Sequence, residues 1–224
     1  MKKLISLLVL VSALGTLQNC YSQSPGLRVG PLFGFGQSQF EPYGRFDQQP
    51  KLGFSGGIAA TDQVFRFFGL ETDFLLVNNG SVINGVRQDG SDLLGNPLFY
   101  KYHDSYNLFY AQIPFLLKAS IGLGNVHLKV FGGPAFNYTL YASERRTYDD
   151  TGYDASNGFK RTPPDIAVTV LDAIYGFGFD VESPEGSLFT VELRADQGIT
   201  PLGRIEDKVA YNNYVGLHLG MFLK

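Results

Sequence analysis

Residues 106–121 read YNLFYAQIPFLLKASI and change polarity at every second position. Because successive side chains of a β-strand point to opposite faces, Phe109 and Phe115 share one apolar face. Gln112 and Lys118 share the other face, which is mixed and charged. The segment therefore predicts a strand whose apolar face must meet either lipid or a second sheet.

The same period of two recurs along most of the chain. The predicted strands are residues 27–37, 51–61, 65–77, 106–121, 126–141, 165–181, 187–196 and 211–224. Short turns at 62–64, 120–125 and 183–186 alternate with longer polar segments, which we interpret as loops at 38–50, 78–105, 142–164 and 197–210. An even strand number with this alternation is typical of outer-membrane barrels. We predict an all-β, eight-stranded antiparallel up-and-down transmembrane β-barrel with short periplasmic turns and longer extracellular loops.

Charged residues share the face that also carries the strand glycines, while the opposite face is almost entirely apolar. The predicted interior ions are Arg28, Lys51, Glu71, Asp73, Lys118, Lys129, Asp172, Asp180, Glu192 and Arg194. An eight-stranded barrel is just wide enough for side chains to fill. We therefore expect opposite charges to pair inside the barrel and to close it.

A soluble lipocalin-like barrel is the alternative, since it has the reverse polarity and period two does not say which face is inside. Unpaired charges in an oily core would each be costly. Tyrosines beside the long loops favour the membrane, because aromatic girdles mark the bilayer interfaces. The predicted girdle is Tyr100, Tyr102, Tyr106, Tyr110, Tyr138, Tyr141, Tyr211 and Tyr214.

The first 23 residues have the basic, apolar and polar order of a secretory signal, with Lys2 and Lys3 before an apolar run at 4–14. We assign residues 1–23 to a removed signal peptide and residues 24–224 to the barrel domain. Cys20 is the only cysteine, so no disulfide forms within the chain. Asn19 stands where a lipobox has a small residue, which favours an incidental cysteine over a lipidated one.

Composition agrees with a β-rich membrane domain and excludes some partners. Of the 224 residues, 27 are glycine and 19 are phenylalanine, and only 17% are charged, which favours sheet with close backbone approaches. The net charge of −3 excludes a nucleic-acid-binding surface of the usual basic kind. After the signal, no apolar run approaches the ~20 residues of a membrane helix.

Two loop motifs contain the residue types of a catalytic or metal-binding site but lack the spacing that such a site requires. His103-Asp104-Ser105 contains the residues of a hydrolase triad, yet three consecutive residues cannot point at one another in that relay. The segment 149–154 with Asn157-Gly158 is rich in oxygen ligands, but the twelfth position counted from Asp150 is Arg161, where an EF-hand has glutamate. We assign no catalytic, cofactor-binding or metal residue and predict no enzyme activity.

Other unusual residues have structural explanations. Gly34-Phe35-Gly36 and Gly176-Phe177-Gly178 precede no helical pattern, so we expect their glycines to relieve crowding in a narrow barrel. His127 and His218 occur singly on the charged face and are interpreted as interior hydrogen-bonding groups. Pro114 removes a ladder donor and should lie where strand pairing is interrupted.

Four segments together resemble the PorT-like outer-membrane β-barrel family. They are residues 110–118 (YAQIPFLLK), Gly132-Gly133-Pro134, residues 172–178 (DAIYGFG), and Glu192-Leu193-Arg194 with Gly198-Ile199. The resemblance spans about residues 25–224. It implies an eight-stranded barrel in the outer membrane and an association with a protein-secretion apparatus.

We therefore expect a non-enzymatic outer-membrane protein that contacts lipid and works through envelope or secretion partners at its loops or turns. A small passive pore and a barrel enzyme stay as alternatives. Within residues 106–121, Phe109, Ile113, Phe115 and Leu117 should meet lipid. Gln112 and Lys118 should meet interior acids, and Tyr106 should mark the outer interface. The strand should descend from the longest loop to a periplasmic turn.

Overall fold

The computed structural model describes residues 26–42, 47–65, 67–91, 97–148, 160–161, 166–205 and 208–223. Within them lie the strands β1 (Arg28–Pro42), β2 (Asp47–Gln63), β3 (Phe68–Ser91), β4 (Pro97–Leu123), β5 (Val126–Tyr148), β6 (Lys160–Arg161), β7 (Thr169–Glu182), β8 (Leu188–Gly198), β9 (Gly203–Ile205) and β10 (Lys208–Phe222). No helix among these residues is long and apolar enough to cross a bilayer.

Eight of the strands close into a ring. Each long strand pairs antiparallel with the next, in the order β1-β2-β3-β4-β5-β7-β8-β10, and β10 pairs back to β1 from Leu32↔Gly220 to Pro42↔Ala210. The short strand β6 pairs with β5, and the short strand β9 pairs with β10. This is the predicted up-and-down barrel. We call the end with the tight turns the turn end and the opposite end the loop end.

Burial alternates along the wall as the sequence predicts. On β4, Phe115 and Leu117 are 50% and 57% exposed, whereas Gln112 and Lys118 are 2% and 3% exposed. The outward-facing residues form an apolar belt around the barrel. It includes Phe33, Phe35, Leu52, Phe54, Phe74, Leu76, Phe115, Leu117, Leu128, Val130, Phe177, Leu193 and Leu219. The polarity is opposite to that of a lipocalin-like barrel.

The glycines of the two predicted motifs lie where neighbouring groups leave no room for a side chain. A Cβ on Gly34 would lie 2.5 Å from the ring of His218, and one on Gly36 would lie 2.1 Å from the Val215 carbonyl oxygen. A Cβ on Gly176 would lie 2.6 Å from the Phe131 ring. The interpretation that these glycines relieve crowding is confirmed.

The predicted loop at 78–105 is wrong over most of its length. β3 continues to Ser91 and β4 starts at Pro97, with pairing from Ser81↔Tyr106 onwards. The Asn-Gly pairs looked like turns, but their glycines serve close packing instead. A Cβ on Gly80 would lie 2.1 Å from the Tyr106 carbonyl oxygen, and one on Gly85 would lie 2.3 Å from the Tyr102 ring.

Other predicted strand ends also move, because ladders extend into polar sequence. β5 runs to Tyr148 rather than to residue 141, β8 ends at Gly198, and β10 starts at Lys208. β7 starts at Thr169 instead of residue 165. We call residues 84–91, 97–107 and 142–148 the projecting sheet, since β5 there extends past its last pair with β7, Tyr138↔Thr169.

Half of the predicted tyrosine girdle faces the interior. Tyr138 and Tyr141 are exposed as predicted. The prediction is wrong for Tyr102, Tyr106, Tyr110 and Tyr214, all of which are buried. The reason is the alternation of side chains along β4, because Tyr106 and Tyr110 occupy the same inward-facing alternate positions as Gln112 and Lys118. Tyr106 packs against Phe40 at 5.9 Å between ring centroids instead of marking an interface.

Pro114 lies at an interruption of the β3–β4 ladder, as predicted. The pairing passes from Thr72↔Phe115 to Leu75↔Gln112 without including Pro114. The Thr72 hydroxyl donates to the Pro114 carbonyl oxygen at 2.9 Å. A side chain thus replaces part of the backbone pairing that proline interrupts.

A charge in the apolar belt tests whether that surface meets lipid. We expect Phe115→Arg to destabilise the barrel in vesicles by about 2–4 kcal/mol, because arginine near the bilayer midplane is poorly solvated. Phe99→Arg, in the projecting sheet, is the control and should cost less than about 1 kcal/mol. Equilibrium unfolding in urea measures both. Equal effects of the two substitutions would contradict a lipid-facing belt.

Candidate functional site: the filled lumen

Arg194 on β8 lies at the centre of the lumen and binds three carboxylates. Its Nη2 donates to Glu71 at 2.6 Å, its Nη1 to Asp73 at 2.6 Å and its Nε to Glu192 at 2.5 Å. The guanidinium also lies 5.3 Å from the Phe131 ring centroid. The planar fork of arginine suits this use, since it offers several donors in fixed directions. The contacts join β8 to β3 across the barrel.

Two lysines extend this arrangement toward the turn end. Lys129 binds Glu192 at 2.5 Å and Asp180 at 2.6 Å. Lys118 lies 3.4 Å from Glu71 and 3.8 Å from Asp180, which confirms that Lys118 meets interior acids. We call these residues the ion network: Glu71, Asp73, Lys118, Lys129, Asp180, Glu192 and Arg194.

Strand periodicity positions every member of the ion network. The seven side chains come from β3, β4, β5, β7 and β8, each from an inward position. All seven are buried. Buried charges are tolerated only when they are paired and hydrogen-bonded, and each of these charges has an opposite partner. Of the ten predicted interior ions, Arg28 and Lys51 are only partly buried.

A second polar layer lies on the loop side of the ion network. The Tyr110 hydroxyl accepts hydrogen bonds from the amides of Asn79 and Asn212, both at 2.8 Å. Gln112 donates to Asp196 at 3.0 Å, which confirms that Gln112 meets an interior acid. We call this the amide layer, made of Asn79, Tyr110, Gln112, Asn137, Asp172, Asp196 and Asn212.

The two ends of the lumen differ in character. Toward the loop end, buried apolar side chains fill the interior, and we call them the apolar cap: Phe40, Ile83, Tyr106, Leu108 and Leu202. At the turn end a cavity of about 150 Å³ is lined by residues that include Lys118, His127 and Asp180. Arg28 and Glu182 form an ion pair beside it. The interior is therefore filled over most of its length.

The triad-like residues His103, Asp104 and Ser105 contact different partners. His103 Nδ1 lies 2.5 Å from the Asn84 side-chain oxygen, and Ser105 accepts a hydrogen bond from Lys51 at 2.9 Å. Asp104 accepts two hydrogen bonds from Arg146, at 2.7 and 2.5 Å. These bonds raise the pKa of Arg146 above its usual range. The described side-chain contacts of His103, Asp104 and Ser105 are thus with Asn84, Arg146 and Lys51, respectively.

Several predicted features fall elsewhere. His218 is buried with its Nε2 3.4 Å from the Tyr214 hydroxyl, as expected of an interior group, and His127 lines the turn-end cavity. The acidic segment 149–158, the signal and Cys20 lie outside the described residues. Within the described ranges, no group of three or more histidine, cysteine, aspartate or glutamate side chains is placed to hold a metal.

Sequence reasoning did not find the amide layer as a unit. Its members occupy inward positions that parity assigns correctly, as with Asn137 and Asp172. Their partners, however, come from strands as distant in sequence as β3 and β10. The only available signal is the amide and acid content of those inward positions.

Residues 21–203 match the family described as "Outer membrane protein beta-barrel domain". The chain belongs to this family. Its location is accordingly the outer membrane, where the apolar belt contacts lipid. No curated protein matches the sequence.

Solved structures with a similar fold are distant in sequence. Ail of Yersinia pestis, solved with the heparin analogue sucrose octasulfate, is 11% identical with a TM-score of 0.40, over 88% of this chain and 99% of Ail. Neisserial surface protein A is 10% identical with a TM-score of 0.44, over 87% and 97% of the two chains. OprG of Pseudomonas aeruginosa is 13% identical with a TM-score of 0.42, over 88% and 92%.

Removing Arg194 tests the importance of the ion network. We expect Arg194→Met to destabilise the barrel by about 3–5 kcal/mol, because three buried carboxylates lose their shared partner. The matched control is Arg28→Met, which removes a partly exposed pair and should cost about 1 kcal/mol or less. Urea unfolding in detergent or vesicles measures both changes. A loss at Arg194 no greater than that at Arg28 would contradict the network's role.

Proposed function

We propose that this outer-membrane barrel is a non-enzymatic, non-conducting component of the envelope that acts through contacts with other proteins. The observation that carries the proposal is the filled lumen. The ion network, the amide layer and the apolar cap lie one above another. Hydrogen bonds across the barrel hold side chains of the first two layers, and the third is a cluster of buried apolar side chains. Such an interior supports an anchoring and displaying role better than a passive pore.

The projecting sheet is the surface we propose for these contacts. Val86 and Phe99 are each 61% exposed in this sheet, which extends beyond the start of β7. Beyond Asn84, β3 has no β2 partner among the described residues. Open strand edges and exposed aromatic residues are common features of protein-binding surfaces.

A narrower part of the proposal concerns the partner. The resemblance of residues 110–118 and 172–178 to the PorT-like family supports a partner from a protein-secretion apparatus. These residues lie in the barrel wall and lumen, so they contribute the scaffold. The partner itself would contact the loops, the turns or the projecting sheet.

Single-channel recording tests whether the barrel is closed. The purified protein in a planar bilayer should give no steady conductance, because the buried side chains of the ion network and the apolar cap occupy the lumen. Recording from a general porin under the same conditions shows that insertion and detection work. A steady conductance from folded protein would overturn the non-conducting proposal and favour a small pore.

Site-specific crosslinking in intact cells tests the contact surface. A photoreactive phenylalanine analogue at position 99 should give a discrete protein adduct, since Phe99 projects from the barrel. The same analogue at Phe115 in the apolar belt is the control and should give none. Mass spectrometry of the adduct decides whether the partner belongs to a secretion apparatus. No adduct at position 99, or the same adduct from position 115, would contradict the proposed surface.

A further inference from the structure

The amide layer contains two buried acids that have no cationic partner. Asp172 and Asp196 are 0% and 5% exposed. Asp172 accepts one hydrogen bond from Asn137 at 2.6 Å, and Asp196 accepts one from Gln112 at 3.0 Å. Neither forms an ion pair with a described lysine, arginine or histidine. The hydrogen bonds of Arg194, two residues before Asp196, go to three other carboxylates.

The two carboxylates are neighbours on the inner surface. Asp172 pairs with Gly198 and Asp196 pairs with Ile174 on the adjacent strands β7 and β8. This register makes the two acids diagonal neighbours on one face, roughly 7 Å apart at the backbone. Two ionised carboxylates at this separation repel unless a positive charge lies between or beside them.

Several buried oxygens of the same layer lack a hydrogen-bond partner among the described residues. In the described part of the chain, Asp172 Oδ1, Asn137 Oδ1, Asn212 Oδ1 and Asn79 Oδ1 are buried without such a partner. Asn137 already uses its amide nitrogen on Asp172, and Asn212 uses its amide nitrogen on Tyr110. Buried polar atoms without partners are rare in native proteins. A positively charged group that accepts no hydrogen bonds would satisfy these oxygens and the two carboxylates together.

We propose that the amide layer binds one hard metal cation of the calcium class. The ligands are the carboxylates of Asp172 and Asp196 and the amide oxygens of Asn137 and Asn212. Hard cations take oxygen ligands of these types, and calcium accepts irregular geometry better than magnesium does. No histidine or cysteine belongs to the set, which disfavours transition metals. The ion joins β5, β7, β8 and β10 and stabilises the loop end of the barrel.

Calcium content after folding tests the site, because the apolar cap would slow exchange in the finished barrel. The mature full-length chain is refolded in detergent with Ca²⁺, freed of excess ion by gel filtration, and analysed for bound calcium. We expect about one calcium per chain, retained through gel filtration because the apolar cap slows its release. The double substitution Asp172→Asn and Asp196→Asn should abolish this binding while keeping the size of both side chains.

Two controls make the result specific. Glu185→Gln removes an exposed acid at the turn end and should leave the calcium content unchanged. Asp149→Asn with Asp150→Asn removes acids from the 149–158 segment and should also leave it unchanged. Heat-modifiable migration in gels shows that each variant has folded. The conductance and crosslinking results do not bear on this site.

Three outcomes would overturn the cation site. The wild-type barrel could fold without calcium and bind none when refolded with it, which would mean that the two acids share a proton or a water molecule. Calcium could persist in the folded double variant. It could instead be lost from the 149–150 variant, which would place the ion in that segment.

Discussion

Arg194 reaches from β8 across the lumen to β3 and binds Glu71 and Asp73 there, as well as Glu192 on its own strand. The rest of the interior depends on this contact. Three carboxylates this close together would repel one another without a shared cation. Because the guanidinium binds all three, charges can fill the centre of a narrow barrel, and the apolar side chains can be placed on its outer wall.

The outer wall follows from the same constraint. An eight-stranded barrel has little interior volume, so its inward positions carry bonded polar groups, the buried side chains of the apolar cap, or glycines that make room for them. Gly176 lies against the Phe131 ring, which in turn lies beside the Arg194 guanidinium. Large apolar residues such as Phe115 and Leu117 are therefore found mainly on the outside. The lipid contact and the ionic interior both result from the alternation of apolar and polar side chains along each strand.

The strand count, the faces and the pairing of Lys118 and Gln112 with acids could be predicted from the sequence, because period two and charge content are local signals. The tyrosine girdle could not be predicted correctly from residue type. Tyr106 and Tyr110 are the residue type found at membrane interfaces, but they occupy the alternate strand positions that face the interior. The length of β3 could not be predicted either. Asn79-Gly80 and Asn84-Gly85 have the sequence of turns, but they lie within the strand, and their glycines allow close contact with neighbouring groups. Partners such as Tyr110 and Asn212 depend on register between distant strands, which no local pattern shows.

The most direct test of this account is the identity of the lipid-facing residues. The chain contains no tryptophan, so single tryptophans can be introduced along β4 and quenched by brominated lipid chains. Tryptophan in place of Ile113, Phe115 or Leu117 should be quenched strongly, and tryptophan in place of Gln112 or Leu116 should not be. The reverse alternation, or equal quenching at all five positions, would contradict a barrel with its charges inside and its apolar belt in lipid.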